Sequence, residues 1–269
     1  MPIWRYLPFA QYSGAENMAI DEAILQALAD NPSSPPALRF YGWNPPTLSL
    51  GYAQRYAKEV DAEACRKNGI EIVRRPTGGR AILHQYELTY SVIAPEADEH
   101  VQGTVMESYL KISQALLHGF RALGIPAEMA QGDLGRAASA ACFDAPSWYE
   151  LVVGGRKLVG SAQVRKDGIL LQHGSIILHF DTELLFSVLK FANEEIRTQH
   201  LSAFRQKACA LDEVTSRPIE RGELELSLIR GFETVMGIEF QLSELTASER
   251  QLAQELLVKY RSEEWTKKR

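Results

Sequence analysis

Two dipeptides, Gly154-Gly155 and Asp167-Gly168, constrain this chain more than any other local feature. Each tolerates the positive φ of a two-residue hairpin turn, and each lies between apolar runs. Residues 151–153 and 157–164 flank the first turn, and 169–171 follow the second. The reading is a small strand meander that ends in Gln172-His173-Gly174-Ser175. Its second strand begins at one lysine, Lys157, and continues through Gly160-Ser161-Ala162, which carries almost no side-chain bulk. Small residues inside a strand mark close approach of a ligand or of another backbone. A cysteine, Cys142, stands on the segment leading in. A thiol, an amine and a bare strand this close together point to acyl chemistry. Taken singly, Cys142 also reads as a buried structural thiol and Lys157 as a surface lysine after a turn.

At 269 residues the chain makes one large domain, or one domain with a small appendage. A net charge of −5 argues against nucleic acid as the main partner, since that role favours a basic face. Cys65, Cys142 and Cys209 are an odd set without CxxC spacing, which fits a reducing compartment with neither a disulfide framework nor a zinc site. The opening MPIWRYLPFAQYSG has no basic segment followed by a long apolar run, so no secretory signal is expected. No apolar run approaches the roughly 20 residues of a membrane helix. The expectation is a cytoplasmic globular enzyme with no membrane partner, no metal and no cofactor.

Along the chain, Ser13-Gly14-Ala15-Glu16 and Thr104-Val105-Met106-Glu107 are capping boxes, predicting helices to about residues 29 and 123. Strands are expected at 37–41, 47–52, 71–75, 81–84 and 88–93, with a short helix over 60–68 closed by Gly69. Between two of these strands lies Pro76-Thr77-Gly78-Gly79-Arg80, with Arg74, Arg75 and Arg80 around it and His84 just beyond. Adjacent glycines let backbone amides approach a phosphate or a carbonyl; the alternative is a hairpin turn with solvated arginines. His118 and Cys65 read as structural. The Gly/Ala/Ser-rich stretch 131–140 is expected to be a mobile loop leading to Cys142. After the meander, 181–191 reads as helical and 194–209 as polar and irregular, followed by helices at 219–236 and 247–260 around a short strand at 239–242. The charged end 263–269 reads as a solvated terminus. Strands first and helices last predict an α+β fold.

RRPTGGRAILHQYELTYSV, followed by GGRKLVGSAQ and QHGSIIL, resembles the biotin/lipoate protein ligase superfamily from about Asn17 to His179. CFDAPSWYELVV and the closing SEEWTKKR are similar to its cysteine-dependent octanoyltransferase branch. The resemblance implies a catalytic domain of mixed and antiparallel sheets packed with helices over 1–242 (core about 32–242), then a C-terminal helical segment and charged tail over 243–269. It implies octanoyl transfer from octanoyl-acyl carrier protein to a lysine of a lipoyl carrier, the glycine cleavage H protein, by a monomer. It makes Cys142 the acyl-thioester nucleophile and Lys157 the residue that touches the acyl carbonyl. It maps Arg74, Gly78, Gly79 and His84 to the carbonyl-binding turn, and Gly160, Ser161 and Ala162 to the acyl tunnel. His173 is a secondary candidate for orienting substrate. ATP-dependent ligases of the superfamily typically carry Arg-Asn-Asp where this chain reads Trp148-Tyr149-Glu150, which argues against adenylation. An ATP-using ligase, an amidotransferase between lipoyl domains and a non-catalytic carrier-binding protein remain as alternatives.

Overall fold

A computed structural model describes residues 1–130 and 149–269. β1 (Ile3–Tyr12) leads through the capping box of Ser13 and Glu16 into α1 (Gly14–Asp30). β2 (Ala37–Trp43) and β3 (Thr47–Leu50) follow, then two short helices, α2 (Tyr56–Glu59) and α3 (Ala62–Lys67). β4 (Glu71–Arg74), β5 (Ile82–His84) and β6 (Glu87–Pro95) bracket the glycine turn, and α4 (Val105–Ala122) starts at the Thr104–Glu107 capping box. β7 (Glu128–Met129) precedes the meander of β8 (Leu151–Val153), β9 (Arg156–Lys157), β10 (Val159–Lys166) and β11 (Ile169–Ile177). Gly154, Gly155, Asp167 and Gly168 all have positive φ, as the two hairpin turns require. The chain ends with α5 (Thr182–Ser187), α6 (Glu194–Lys207), α7 (Leu211–Val214), α8 (Arg221–Met236), β12 (Glu239–Leu242), α9 (Ala247–Arg261) and α10 (Glu263–Thr266).

Among the described residues the main sheet has the order β10-β11-β6-β2-β1-β12. It is antiparallel from β10 to β2 and parallel from β2 through β1 to β12, so it is mixed, as expected of an α+β domain. A smaller sheet, β4-β3-β5, lies beside it, and β7-β8-β9 form a third. The period of two along β6 assigns its faces. Leu88, Tyr90 and Val92 enter a core with Phe120 of α4 and Leu228 of α8. On the other face Ile93 packs with Ile24 of α1, and Ala253 of α9 closes that layer. Glu87, Thr89 and Ser91 share this second face, which is where the polar site forms. A further core joins the small sheet to α5 and α6 through Leu48, Ile82, Phe186 and Phe204. No helix among the described residues is long and apolar enough to cross a membrane.

Three expectations change. Residues 194–209 are not irregular: α6 forms there, capped by the Asn193 side chain, which accepts from the Ile196 amide at 2.9 Å. The helix expected over 181–191 stops at Ser187. The C-terminal end is not simply solvated: Trp265 and Thr266 pack against β4 through the Arg74 guanidinium.

Candidate active site

A narrow cavity, about 330 Å³ of atom-free space, opens between the polar face of the main sheet and the small sheet. One wall is β10, where Gly160, Ser161 and Ala162 pair with Ser175, Gly174 and His173 of β11. On the neighbouring strand, a Cβ on Gly174 would overlap Ser161 Oγ and Tyr90 Cε1, so β10 and β11 are tightly packed here. Ser161 Oγ is held at 2.8 Å by the Tyr90 hydroxyl.

His84 forms the opposite wall. It stacks on Trp43 with ring centroids 3.8 Å apart. Its Nδ1 donates to Glu87 Oε1 at 2.7 Å, and its Nε2 lies 2.7 Å from Ser49 Oγ. Glu87 Oε1 also accepts from Thr89 and Ser175, so one buried carboxylate sets the ring orientation. At the far end His173 Nε2 accepts from Thr77 Oγ1 at 2.6 Å, and its Nδ1 faces Asp21 Oδ2 at 3.5 Å. Burial pushes the His173 pKa below the usual histidine range, against the pull of Asp21. Asp21 is buried too, yet its pKa is lowered, because Arg39 pairs with it at 2.7 Å and offsets the desolvation. Tyr41 donates to the same carboxylate at 2.9 Å.

The glycine turn borders this space through Arg75, which lines it, and Thr77, which bonds His173. Gly79 has φ +88, and a Cβ built on it comes within 4.0 Å of Ala162. Arg75 braces the turn from inside, donating to the carbonyls of Ser49, Gly78 and Arg80 at 3.1, 2.9 and 2.7 Å. Arg74, expected at the substrate, is turned away and does not line the cavity. Its guanidinium is fully buried among backbone carbonyls of Gly51, Tyr52, Gln54, Trp265 and Thr266. Successive strand residues face opposite sides, so of two adjacent arginines one faces the site. It is Arg75.

Lys157 sits on β9, three residues before Gly160, and is not among the described residues lining the cavity. Its Nζ donates to Glu150 Oε1 at 2.6 Å, with both side chains almost wholly buried. Cys142 lies outside the described residues, as does the expected loop over 131–140. The structure therefore brings together His84, Gly160, Ser161, Ala162 and His173, while Gly78 and Gly79 stand outside the lining, Gly79 nearest to Ala162. It adds Ser49, Trp43, Tyr41, Arg75 and Glu87, and gives Lys157 a carboxylate partner in Glu150. Glu87, three residues after His84, was a legible signal; Ser49 depends on tertiary contacts, and Glu150 on its bond to Lys157 across the Gly154-Gly155 hairpin. Among the described residues no group of His, Cys, Asp and Glu side chains is arranged to hold a metal ion.

This layout defines a class. Residues 13–233 match the lipoyl protein ligase A/B catalytic domain, and the chain belongs to that family. It is 49% identical to a protein named octanoyltransferase LipM from Carboxydothermus hydrogenoformans, covering 98% of each chain. It is 44% identical to the Bacillus subtilis protein of that name, over 99% of this chain and 98% of the relative. Among solved structures, a lipoate-protein ligase A bound with ATP superposes with a TM-score of 0.82 at 27% identity, covering 99% of both chains. A bi-partite lipoate protein ligase from Thermoplasma acidophilum gives 0.82 at 28% identity, over 98% of this chain and 96% of that one.

Proposed function

We propose that this protein is an octanoyltransferase of lipoate assembly. The observation that carries the reading is the near-full-length likeness to octanoyltransferases at 49% identity. In this reading octanoyl-acyl carrier protein is the donor and a lipoyl-domain carrier, the glycine cleavage H protein, is the acceptor. The Cys142 thiolate attacks the thioester carbonyl. The bond from carbonyl carbon to donor sulfur breaks, and the phosphopantetheine sulfur leaves as a thiolate that takes up the proton Cys142 gave up on ionising. The ε-amine of the carrier lysine then attacks the acyl-Cys142 ester. An amide forms, the Cys142 sulfur leaves, and the amine gives up a proton. A thioester stores enough energy for this without ATP.

The other two cysteines are poor candidates for the nucleophile. Cys65 and Cys209 are buried, and burial pushes each thiol up to about 11. A thiolate is the reactive form, so such groups are inert at neutral pH. Lys157, whose ammonium rests on Glu150 at 2.6 Å, is the cation this reading assigns to favour the Cys142 thiolate. Backbone amides of the Gly78-Gly79 turn and of the Gly160–Ala162 stretch are candidate donors to the oxyanion. The cavity accepts the hydrocarbon chain.

The test is intact-protein mass spectrometry after incubation with octanoyl-acyl carrier protein and no ATP, comparing wild type with Cys142→Ala. The expected result is an octanoyl adduct on wild type alone, discharged by a lipoyl-domain acceptor. Transfer that appears only with ATP and free octanoate would make the ligase reading the better one, which the likeness to an ATP-bound ligase keeps in play.

A further inference from the structure

The C-terminal segment ends against the back of the glycine turn. Trp265 Nε1 donates to the Arg74 carbonyl at 2.8 Å, and Arg74 returns bonds to the carbonyls of Trp265 and Thr266. The Arg269 carbonyl accepts from the Tyr56 amide at 2.9 Å. The Lys268 ammonium is packed between the rings of Tyr52 and Trp265, 3.4 Å from each centroid.

Arg74 also donates to the carbonyls of Gly51, Tyr52 and Gln54, so one guanidinium ties residues 265–266 to the loop after β3. That loop in turn supports the turn. The Tyr52 amide donates to the Thr77 carbonyl at 2.8 Å. A Cβ on Gly51 would overlap the Gly79 carbonyl oxygen, so the two backbones touch. Arg75, the next residue, cross-braces the same turn from its other side. The contacts are continuous from the chain end to Gly78 and Gly79.

We propose that residues 265–269, acting through Arg74, are a positioning element that sets the glycine turn beside the acyl cavity. The segment touches no reacting atom in this scheme. It fixes where the turn amides stand, and a misplacement of about 1 Å at such a site costs up to about a hundredfold in rate. Arg74 is the pivot because a buried guanidinium needs its carbonyl partners, and most of them belong to these two segments. The effect on rate rests on the octanoyltransferase reading; the effect on the turn does not.

The test compares the full chain with a version ending at Glu264 and with Trp265→Phe, which keeps an aromatic ring and the backbone carbonyls but loses the indole bond to the Arg74 carbonyl. Hydrogen exchange followed by mass spectrometry reads the turn directly. Amides of 76–80 are expected to exchange about tenfold faster in the shortened chain, with those of β6 and β11 unchanged. Trp265→Phe should give a smaller change of the same pattern. Octanoyl-adduct formation at saturating donor should slow by about tenfold or more in the shortened chain. Unchanged exchange at 76–80 overturns the proposal, and so does equal acceleration in the turn and the main sheet, which would mean general destabilisation. If wild type forms no adduct, the octanoyltransferase reading fails, and the exchange pattern still decides the positioning role.

Discussion

Lys157 and Glu150 put two charges where water does not reach, 2.6 Å apart. Removing one partner of a buried pair costs up to about 3–5 kcal/mol, less where the other charge keeps further partners, whereas replacing both by apolar groups of similar size costs far less. Glu150→Gln is therefore expected to lower unfolding free energy by about 3 kcal/mol in a urea titration, and Lys157→Met with Glu150→Leu to recover most of it while losing transfer activity. A double variant less stable than Glu150→Gln would sink this account. His173 gives a second prediction with a definite sign. Burial holds its folded pKa below the unfolded value near 6.5, so just below that pH the unfolded chain binds the extra proton. Stability contributed by neutral His173 is complete above about pH 6.5 and falls away as pH drops towards the lower folded value, at no more than about 1.4 kcal/mol per pH unit. Wild type should thus lose stability more steeply than His173→Gln between about pH 6.5 and 5.5. Parallel slopes for the two proteins would contradict it. Of the residues that line the cavity, His84, His173 and the Gly160–Ala162 stretch stand out in the chain as histidines and small residues in strands. Arg74 does not line the cavity and Arg75 does; motif spacing alone does not say which of two adjacent arginines faces inward. Ser49 could not be found, since only tertiary pairing brings it to His84; Glu150 was noted in the chain, but its bond to Lys157 across the Gly154-Gly155 hairpin was not.

The elements that sequence patterning resolved were those with strong caps or turns. The capping boxes before α1 and α4, and the hairpin glycines around β9 and β10, satisfy their own backbone groups locally and need no partner to be read. β1 was missed because Pro8 interrupts it, and proline lacks the amide that a ladder uses. The chain accommodates it with a shift of register against β2 between Leu7 and Ala10. α6 was missed because its buried side is narrow, with Leu201 and Phe204 its only buried residues. Its signals were electrostatic instead: Glu194 and Glu195 in the first turn, Arg205 and Lys207 in the last. The crossing of α4 and α8 shows what tight packing permits. A Cβ on Gly231 would overlap the Ala115 carbonyl, and one on Gly119 would come within 2.8 Å of the Ser227 carbonyl. Alanine gains about 1 kcal/mol of helix propensity over glycine, but here the obstacle is backbone, and overpacking costs about 1–3 kcal/mol. Gly231→Ala should therefore be less stable by thermal unfolding. The crossing lies on the sheet face away from the cavity, so the adduct rate per folded molecule should be unchanged. A stabilised Gly231→Ala protein would show that the helices separate easily.

At the scale of the whole molecule, one fold carries both ATP-dependent ligases and octanoyltransferases, so fold alone does not choose the chemistry. The resemblance implies that the difference lies in what surrounds the lysine. Where ligases of this superfamily typically place Arg-Asn-Asp, this chain has Trp148-Tyr149-Glu150, and the Glu150 carboxylate is already seated on the Lys157 ammonium. A triphosphate approaching that lysine would meet a buried negative charge, and displacing it would leave Glu150 without its ammonium partner. Nucleotide binding should therefore be weak. A ligand present at a hundred times its Kd adds about 2.7 kcal/mol, which for a chain of this size raises Tm by roughly 5–10 °C. ATP with magnesium, at the concentration that saturates a ligase, is expected to move Tm by less than about 1 °C in this protein. Glu150→Gln, with the repelling charge removed, should respond to ATP more than wild type does. A wild-type shift of several degrees would place a nucleotide at the site, and the acyl group would then arrive as an adenylate rather than as a thioester.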